Sequence, residues 1–388
     1  MERIRVRERS DWRRTAEEHG FDFHSPDGSL YWDESAYYAF TLEEIEEGLE
    51  APAAEIESMC FEVVEAACRD EAILKRLAIP ERFWGYVAET WRAKHRNLYG
   101  RMDFAFDGRG PAKLYEYNAD TPTSLYETAV FQWVWLEQAQ AQNLIPSGSD
   151  QFNSLHERLV TAFGQMGLPP TLHLASVRSS NEDWSTTLYL ADCAQQAGLA
   201  TVMIDISDIG VSTDGRFTDL DDHAIQALFK LYPWEWLLRE EFATHIPGAQ
   251  CQMIEPAWKS VLSNKGLLAL LWQRFPGHPN LLPAFFEDDP AAATVGARYV
   301  RKPLYSREGA NVEILERGSR VPRVSAPGPY GEEGHIVQAY QPLPEFSGER
   351  PMCGLWMVAS EPAGLGIRAD SSEITGNNAR YLPHIIRG

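Results

Sequence analysis

Arg101-Met-Asp-Phe-Ala-Phe-Asp107, the turn Gly108-Arg-Gly-Pro111 and Lys113-Leu-Tyr-Glu-Tyr-Asn118 form the stretch on which the reading of this chain turns. Both flanks alternate in polarity, so the stretch predicts a β-hairpin with a loop longer than the tight two-residue type. Side chains two apart on a strand share a face. Arg101 and Asp103 therefore pair on the first flank, and Glu116 and Asn118 on the second. Closing the hairpin can bring two carboxylates, an amide oxygen and a guanidinium together. Hard oxygen donors of this kind suit Mg²⁺, which prefers one or two carboxylates with phosphate oxygens and water. An adjacent arginine suits a phosphoryl group in transfer. A solvated sheet face with cross-strand ion pairs explains the same spacing, and spacing alone leaves both readings open. The run Asn118-Ala-Asp-Thr-Pro-Thr-Ser124 adds a hydroxyl-rich turn that can cap an apolar helix over 129–136 and so form an anion site.

Upstream, residues 1–35 read as polar and irregular, with a turn at Pro26-Asp27-Gly28. Thr41-Leu-Glu-Glu44 is a capping-box pattern. Ile45, Leu49, Ile56, Met59, Cys60 and Val63 then recur at helical spacing, which predicts one or two amphipathic helices over 41–76. Pro80 interrupts, and a further helix is expected over 81–96. Downstream, a βαβ rhythm occupies 150–240: strands at 172–176 and 200–205, helices at 184–197 and 222–231. From 256 onward Pro and Gly punctuate short strands at 298–302, 311–315, 335–340, 353–359 and 363–367, the texture of a mainly antiparallel α+β unit. The fold class is thus α/β and α+β, mixed sheets with flanking helices.

The chain has 388 residues, 44% hydrophobic and 23% charged, the profile of a globular protein. The formal net charge of −21 argues against nucleic-acid or anionic-membrane partners and is compatible with a cationic substrate. Five singly placed cysteines argue against a disulfide framework. The charged N-terminus lacks a leader's apolar core, and no run approaches the ~18 apolar residues of a membrane helix. Cytoplasmic residence is the expectation.

Three further segments carry possible chemistry. In Arg301-Lys-Pro-Leu-Tyr-Ser-Arg-Glu-Gly-Ala-Asn311 a lysine leaves a strand and a loop with one glycine follows. Lys302 can neutralise phosphate while the loop's N–H groups cover it; a plain surface hairpin has the same pattern. Asn264 and Lys265 open an apolar helical run, where Lys265 can reach a phosphate or be a solvated first-turn residue. In Ile336-Val-Gln-Ala-Tyr-Gln-Pro-Leu-Pro344 an apolar strand runs into a proline-rich turn, the kind of edge that hydrogen-bonds an adenine, or an ordinary strand–loop junction. Gly-x-Ser-x-Gly, clustered His or Cys spacing and Gly-x-Gly-x-x-Gly are all absent. With no nucleophile in view, positioning and electrostatics are the natural mechanism.

These segments, in this order, resemble the glutathionylspermidine synthase family, more narrowly the stand-alone acid–amine ligases related to its synthetase domain. The resemblance runs from Asp11-Trp-Arg to Pro383-His384. It is most specific in Tyr115-Glu-Tyr-Asn-Ala-Asp-Thr-Pro-Thr-Ser-Leu-Tyr-Glu127, Leu231-Tyr-Pro-Trp-Glu235, Glu255-Pro-Ala-Trp-Lys259, Lys302 to Asn311 and Gly328-Pro-Tyr-Gly-Glu-Glu333. It implies an ATP-grasp-like synthetase fold using ATP and Mg²⁺. Asp103, Glu116 and Asn118 match the family's metal ligands, Arg101 its transition-state arginine, and Lys265 and Lys302 its nucleotide lysines. Glu308 and Gly309 fall in the phosphate-covering loop, Gln338 and Tyr340 on the adenine side, and Arg368 resembles a further nucleotide-site arginine. Thr121, Glu182, Asp183, Trp234 and Glu235 fall where the family binds its acid and amine; Glu182 and Asp183 also fit a helix's acidic first turn.

The implied activity is ATP-dependent joining of a carboxylic acid to an amine through an acyl phosphate, with glutathione-like and polyamine-like partners. The implied division is a helical region 1–97, an α/β region 98–255 with the hairpin and substrate side, and a nucleotide region 256–388, within one integrated unit. The bifunctional members carry an N-terminal cysteine-dependent amidase domain; no such segment precedes the synthetase-like region here, so product hydrolysis is not expected. A non-catalytic nucleotide-binding protein and a small-molecule kinase on the same fold are the alternatives.

Overall fold

The hairpin forms as the alternation requires. The computed structural model describes residues 1–388 apart from Arg320 and Asn378 and the side chain of Asp27. β3 (Tyr99–Ala105) pairs antiparallel with β4 (Lys113–Asn118), with Arg101 opposite Asn118 and Asp103 opposite Glu116. A register shift after Asp103 marks a bulge, a device that re-aims side chains beside sites. β16 (Arg350–Val358) covers the other edge of β3, followed by β17 (Glu361–Asp370) and β18 (Arg380–Leu382), in the order β18-β17-β16-β3-β4. The hairpin is thus the margin of a five-stranded antiparallel sheet.

A second sheet is parallel, in the order β10-β9-β5-β6, from β5 (Thr171–Ser176), β6 (Ala200–Asp205), β9 (Ala227–Lys230) and β10 (Gln252–Ile254). The helix Asn181–Gln196 makes the crossover between β5 and β6, as the βαβ rhythm predicts. The expected helix over 222–231 is corrected here. Ala227-Leu-Phe-Lys230 is instead a buried strand between β5 and β10. A short apolar run with both faces covered has no alternation to reveal it, and periodicity cannot separate it from a buried helical turn. Between β6 and β9, β7 (Gly210–Val211) and β8 (Phe217–Thr218) form a small ribbon.

The third large sheet is antiparallel, in the order β11-β15-β12-β13-β14: β11 (Ala284–Phe286), β12 (Arg298–Pro303), β13 (Glu313–Glu316), β14 (Val324–Ser325) and β15 (His335–Ala339). It fulfils the antiparallel expectation for the C-terminal part. Residues 1–35 are more regular than their polarity suggests. β1 (Glu2–Arg5) pairs with β2 (Ala36–Phe40), and the helix Trp12–Glu18 buries Trp12, Thr15 and Ala16. β1 is an edge strand whose Glu and Arg side chains mask its pattern. β19 (His384–Ile386) lies parallel to β2 and completes that sheet.

The capping box forms as predicted, Thr41 Oγ1 accepting from Glu44 N and Glu44 Oε2 from Thr41 N. The helical run continues through a π-turn at Glu46–Glu50 into Ala51–Ala67, and a short helix Glu71–Arg76 follows. Gly48 lies in the π-turn because a Cβ there would meet the Phe106 ring at 2.6 Å. The helix after the hairpin starts at residues 125–126 and runs at once into a π-turn, Glu127–Phe131. Ser124, at φ +71°, gives its hydroxyl to Tyr31 instead of capping. All five cysteines are free thiols. Among the described residues no helix is long and apolar enough to cross a membrane.

Candidate active site

The polar ends of the four hairpin residues converge. Arg101 Nε and Nη2 donate to the two Asp103 oxygens at 2.7 and 2.9 Å. Asn118 Nδ2 lies 3.0 Å from Asp103 Oδ2 and 3.3 Å from Glu116 Oε1. Asp103 is fully enclosed and Arg101 is 5% exposed. Although burial opposes a charge, the Asp103 carboxylate makes the guanidinium hold its proton more firmly than in water. β16 makes room for this pair with Gly354, which registers with Asp103. A Cβ at Gly354 would stand 2.8 Å from Arg101 Cδ and 3.3 Å from Asp103 Oδ1.

Two lysines from other elements reach the same point. Lys265 stands just before the helix Gly266–Arg274, and its Nζ lies 2.8 Å from Glu116 Oε2 and 3.0 Å from the Ser306 carbonyl. Lys302, near the end of β12, donates from Nζ to Tyr115 O at 2.9 Å. Burial would push the Glu116 carboxyl up, yet Lys265 and Lys302 hold it down at about 2. Burial, with Lys265 adding its charge, brings the Lys302 ammonium down to about 8, while Glu116 pulls the other way.

Two clefts meet at Glu116. The first, of about 670 Å³, lies between the hairpin and the β11–β15 sheet, with walls of Tyr115, Leu282, Val300, Ile314, Leu343 and Met352. Gln338 and Tyr340 border it; Gln338 Nε2 donates to Leu114 O at 3.3 Å and Tyr340 OH to Glu373 Oε1 at 2.6 Å. The second, of about 720 Å³, is polar, and Arg101, Asn118, Thr121, Glu235, Glu308 and Arg368 line it. Glu116, Gly309, Met352 and Thr375 belong to both walls. An apolar slot bordered by Lys302 and opening past Glu116 into a polar chamber has a shape that can take a nucleotide, base first and phosphates inward.

The loop after β12 covers the junction. Glu308 and Gly309 take φ +55° and +73°. Gly309 is required twice, since a Cβ there would also press Ile374 and the Thr375 carbonyl at 2.9 Å. Arg307, which sequence reasoning left out of the site, reaches across the polar cleft. It donates to Thr121 Oγ1 at 2.8 Å and lies 3.9 Å from Glu235. Its signal was being the cation inside the glycine-bearing loop.

The remaining expected residues divide. Arg368, on β17, donates from Nη2 to Gly376 O at 2.9 Å, and its buried Nε has no partner among the described residues. Burial raises the Glu235 carboxyl, opposed by Arg307. Glu182 and Asp183 lie in the first turn of Asn181–Gln196, where Ser180 Oγ accepts from Asp183 N at 3.3 Å. Burial, then the charges of Glu127 and Asp183, lift Glu182 to about 8. Trp234 is not in the cleft: its ring is fully buried and its Nε1 donates to Glu255 O. Sequence reasoning also missed Glu127, which is fully buried and hydrogen-bonded to Tyr31.

The residues fit a divalent cation of the hard class. The carboxylates of Asp103 and Glu116 each lie within 3.3 Å of the Asn118 side-chain nitrogen, and turning the Asn118 amide over would add its oxygen to theirs. Among the described residues no three His, Cys, Asp or Glu side chains are grouped for a metal. Two carboxylates plus an amide is the sparser set that Mg²⁺ accepts when phosphate and water complete its shell.

Comparison with known proteins identifies the family. The family model described as "Glutathionylspermidine synthase preATP-grasp" matches residues 3–387. A protein of Haemophilus influenzae described as "Putative acid--amine ligase" is 41% identical over 378 residues, 94% of each chain. The "Bifunctional glutathionylspermidine synthetase/amidase" of Escherichia coli is 26% identical over 375 residues, which span 90% of this chain and 59% of that enzyme. Among solved structures, a glutathione synthetase-like effector of Globodera pallida superposes with a TM-score of 0.59 at 11% identity, covering 97% of this chain and 96% of the other. The fold is therefore that of ATP-grasp-like synthetases.

Proposed function

Because this chain belongs to the glutathionylspermidine synthase family and is an ATP-dependent acid–amine ligase, we propose that it joins a small peptide acid of the glutathione type to a polyamine or similar amine through an acyl phosphate. The observation that carries this reading is the meeting of Arg101, Asp103, Glu116 and Asn118 with Lys265 and Lys302 where the apolar and polar clefts join.

A carboxylate resists attack by an amine because oxide would have to leave. Transfer of the γ-phosphoryl group of ATP to a carboxylate oxygen replaces oxide by phosphate and releases ADP. The amine nitrogen, in its neutral form, then attacks the carbonyl carbon, the C–O bond to phosphate breaks, and the proton lost from nitrogen passes to the departing phosphate. In this reading Gln338, Tyr340 and the apolar slot hold the base. Lys265, Lys302 and Arg368 neutralise the phosphates, and Arg101 faces the charge that spreads over the phosphoryl oxygens in transfer. Asp103, Glu116 and Asn118 would hold Mg²⁺, which supplies charge neutralisation and orientation of the phosphates. Arg307, with Glu308 and Gly309, closes the polar cleft and keeps water from the acyl phosphate. Thr121 and Glu235 bind the acid side, and Glu182 and Asp183 face the amine, whose positive charge would draw Glu182 from its neutral into its ionised form. The regions 98–255 and 256–388 supply the substrate and nucleotide sides.

Phosphate release is measured with Mg-ATP over paired peptide acids and polyamines, with mass spectrometry of the products. Amide appearing only when both partners are present supports the reading. A stable phosphorylated acid or amine identifies a kinase. ATP binding with no phosphate release from any pair overturns the ligase assignment. Arg101→Ala is expected to retain ATP and lose turnover.

A further inference from the structure

Two of the most specific strings, Leu231 to Glu235 and Glu255 to Lys259, give the clefts little beyond Glu235. Glu255 and Lys259, and Lys230 just before the first string, point elsewhere. Lys230 ends β9, and Glu255 follows β10, the neighbouring parallel strand in which Ile254 registers with Phe229. Both side chains therefore stand at the carboxyl edge of the parallel sheet, against the hairpin. Lys230 Nζ donates to Asp120 Oδ1 at 2.7 Å and to Tyr232 O at 2.9 Å, and Asp120 Oδ2 accepts from Trp234 N at 2.7 Å. Asp120 lies two residues beyond Asn118, the last residue of β4.

The other strand is held in the same manner. Glu255 Oε1 accepts from Leu98 N at 3.1 Å and Tyr99 N at 3.0 Å, and Lys259 Nζ donates to Tyr99 O at 2.9 Å. Tyr99 opens β3, two residues before Arg101. Glu255 and Lys259 stand 3.5 Å apart. Arg101 and Asn118 are register partners, so both attachments grip the same end of the hairpin. Trp234 Nε1 donates to Glu255 O at 3.2 Å and joins the two. Lys230, Glu255 and Lys259 are each 0% exposed and line neither cleft, whereas Asp120, 2% exposed, belongs to the wall of the polar cleft, so the Glu255–Lys259 pair is the one that cannot touch a substrate.

Buried ion pairs are a poor source of stability, since apolar residues of similar volume often do as well or better. Two of them at one sheet edge, each bonded to hairpin backbone or to its continuation, suit a geometric task. We propose that Lys230–Asp120 and Glu255–Lys259 are positioning pairs, by which the parallel sheet fixes the hairpin so that Arg101, Asp103, Glu116 and Asn118 face Lys265 and Lys302 in working register. The proposal rests on the reading of the hairpin as the phosphoryl-transfer site. A displacement of ~1 Å at such a site costs about 100-fold in rate.

The test uses the full chain. Asp120→Asn combined with Lys230→Met removes both charges together, and Glu255→Gln keeps one acceptor oxygen. Amide hydrogen exchange at 99–104 and 114–118 is expected to rise by about 10-fold or more in either variant, with β12 and β15 unchanged. Turnover in phosphate release is expected to fall by about 10- to 100-fold while KM for ATP stays within about 2-fold, and Lys230→Arg is expected to recover most of it. Unchanged hairpin exchange overturns the proposal. So does exchange rising equally throughout the chain, or a loss confined to KM. If the wild-type chain releases no phosphate from any acid–amine pair, the ligase reading fails, and the exchange pattern alone decides the positioning role. If the double variant does not fold, Glu255→Gln carries the same comparison.

Discussion

Replacing Gly354 with alanine puts a methyl group into space that Arg101 occupies. The added Cβ would lie 2.8 Å from Arg101 Cδ and 3.1 Å from its Nε, where ordinary contact begins at 3.4 Å. The difference, 3.4 minus 2.8, requires the arginine stem to retreat by about 0.6 Å. β16 cannot yield easily, because β3 and β17 hold it on either side. The guanidinium then leaves its two-point contact with Asp103 at 2.7 and 2.9 Å. Overpacking of this kind costs about 1–3 kcal/mol, and a catalytic group displaced by a fraction of an ångström loses about 10- to 100-fold in rate. The expected phenotype of Gly354→Ala is a folded protein, slightly less stable to urea, with kcat for phosphate release down by that factor and KM for ATP within about 2-fold. The base slot and both lysines are not touched. A variant with wild-type kcat would refute the reasoning, because Arg101 would then work equally well from a different place. A rise in KM alone would refute the assignment of Arg101 to the transition state.

The Lys302 ammonium, brought down to about 8 by burial and by Lys265, is charged below that pH and neutral above it. ATP affinity measured by calorimetry in chelator should therefore weaken as pH rises through 8, and Lys302→Met should flatten the dependence. Glu182 titrates near 8 in the folded protein and near the ordinary carboxylate value of 4.5 when unfolded. Its neutral form is thus favoured by folding, and the associated stability is present below 4.5 and lost as pH rises toward 8. Glu182→Gln should leave urea stability near pH 4.5 unchanged and exceed the wild type at pH 9 by a margin that stops growing above 8. Gly85 lies inside the helix Trp84–Arg92, and a Cβ there meets nothing within 4 Å. Gly85→Ala should stabilise the protein by about 0.5–1 kcal/mol in urea titration without altering kcat.

The hairpin was legible because alternation is a two-residue signal that survives in any context. Its four polar residues could be assigned to one face from that alternation alone, and the register pairs them as that face requires. Lys265 and Lys302 were legible only as lysines beside recognisable elements; what brings them together is that both side chains reach β4, Lys265 at the Glu116 carboxylate and Lys302 at the Tyr115 carbonyl. Lys230 and Glu255 carry no local signal. Each is a single charge after an apolar run, and its meaning depends on which strands lie side by side. The same blindness turned β9 into an expected helix and placed Trp234 among the substrate residues, although its indole is enclosed. Arg307 stood in plain view within its loop, but its reach to Thr121 is set by the path of a loop in which Glu308, Gly309 and Asn311 are left-handed.

The pairing of β3 with β16 has a consequence for synthesis. Asp103 and its register partner Gly354 are 251 residues apart (354 minus 103). Ribosomes add about 5–20 residues per second, so β3 waits roughly 12–50 seconds for its neighbour. Through that interval the nascent chain presents an open strand edge with apolar Met102 and Phe104, a template for mispairing with other chains. Stalled or truncated products ending before residue 350 should accordingly aggregate. A holdase chaperone should associate with ribosomes that have passed the hairpin and release them only after β16 emerges.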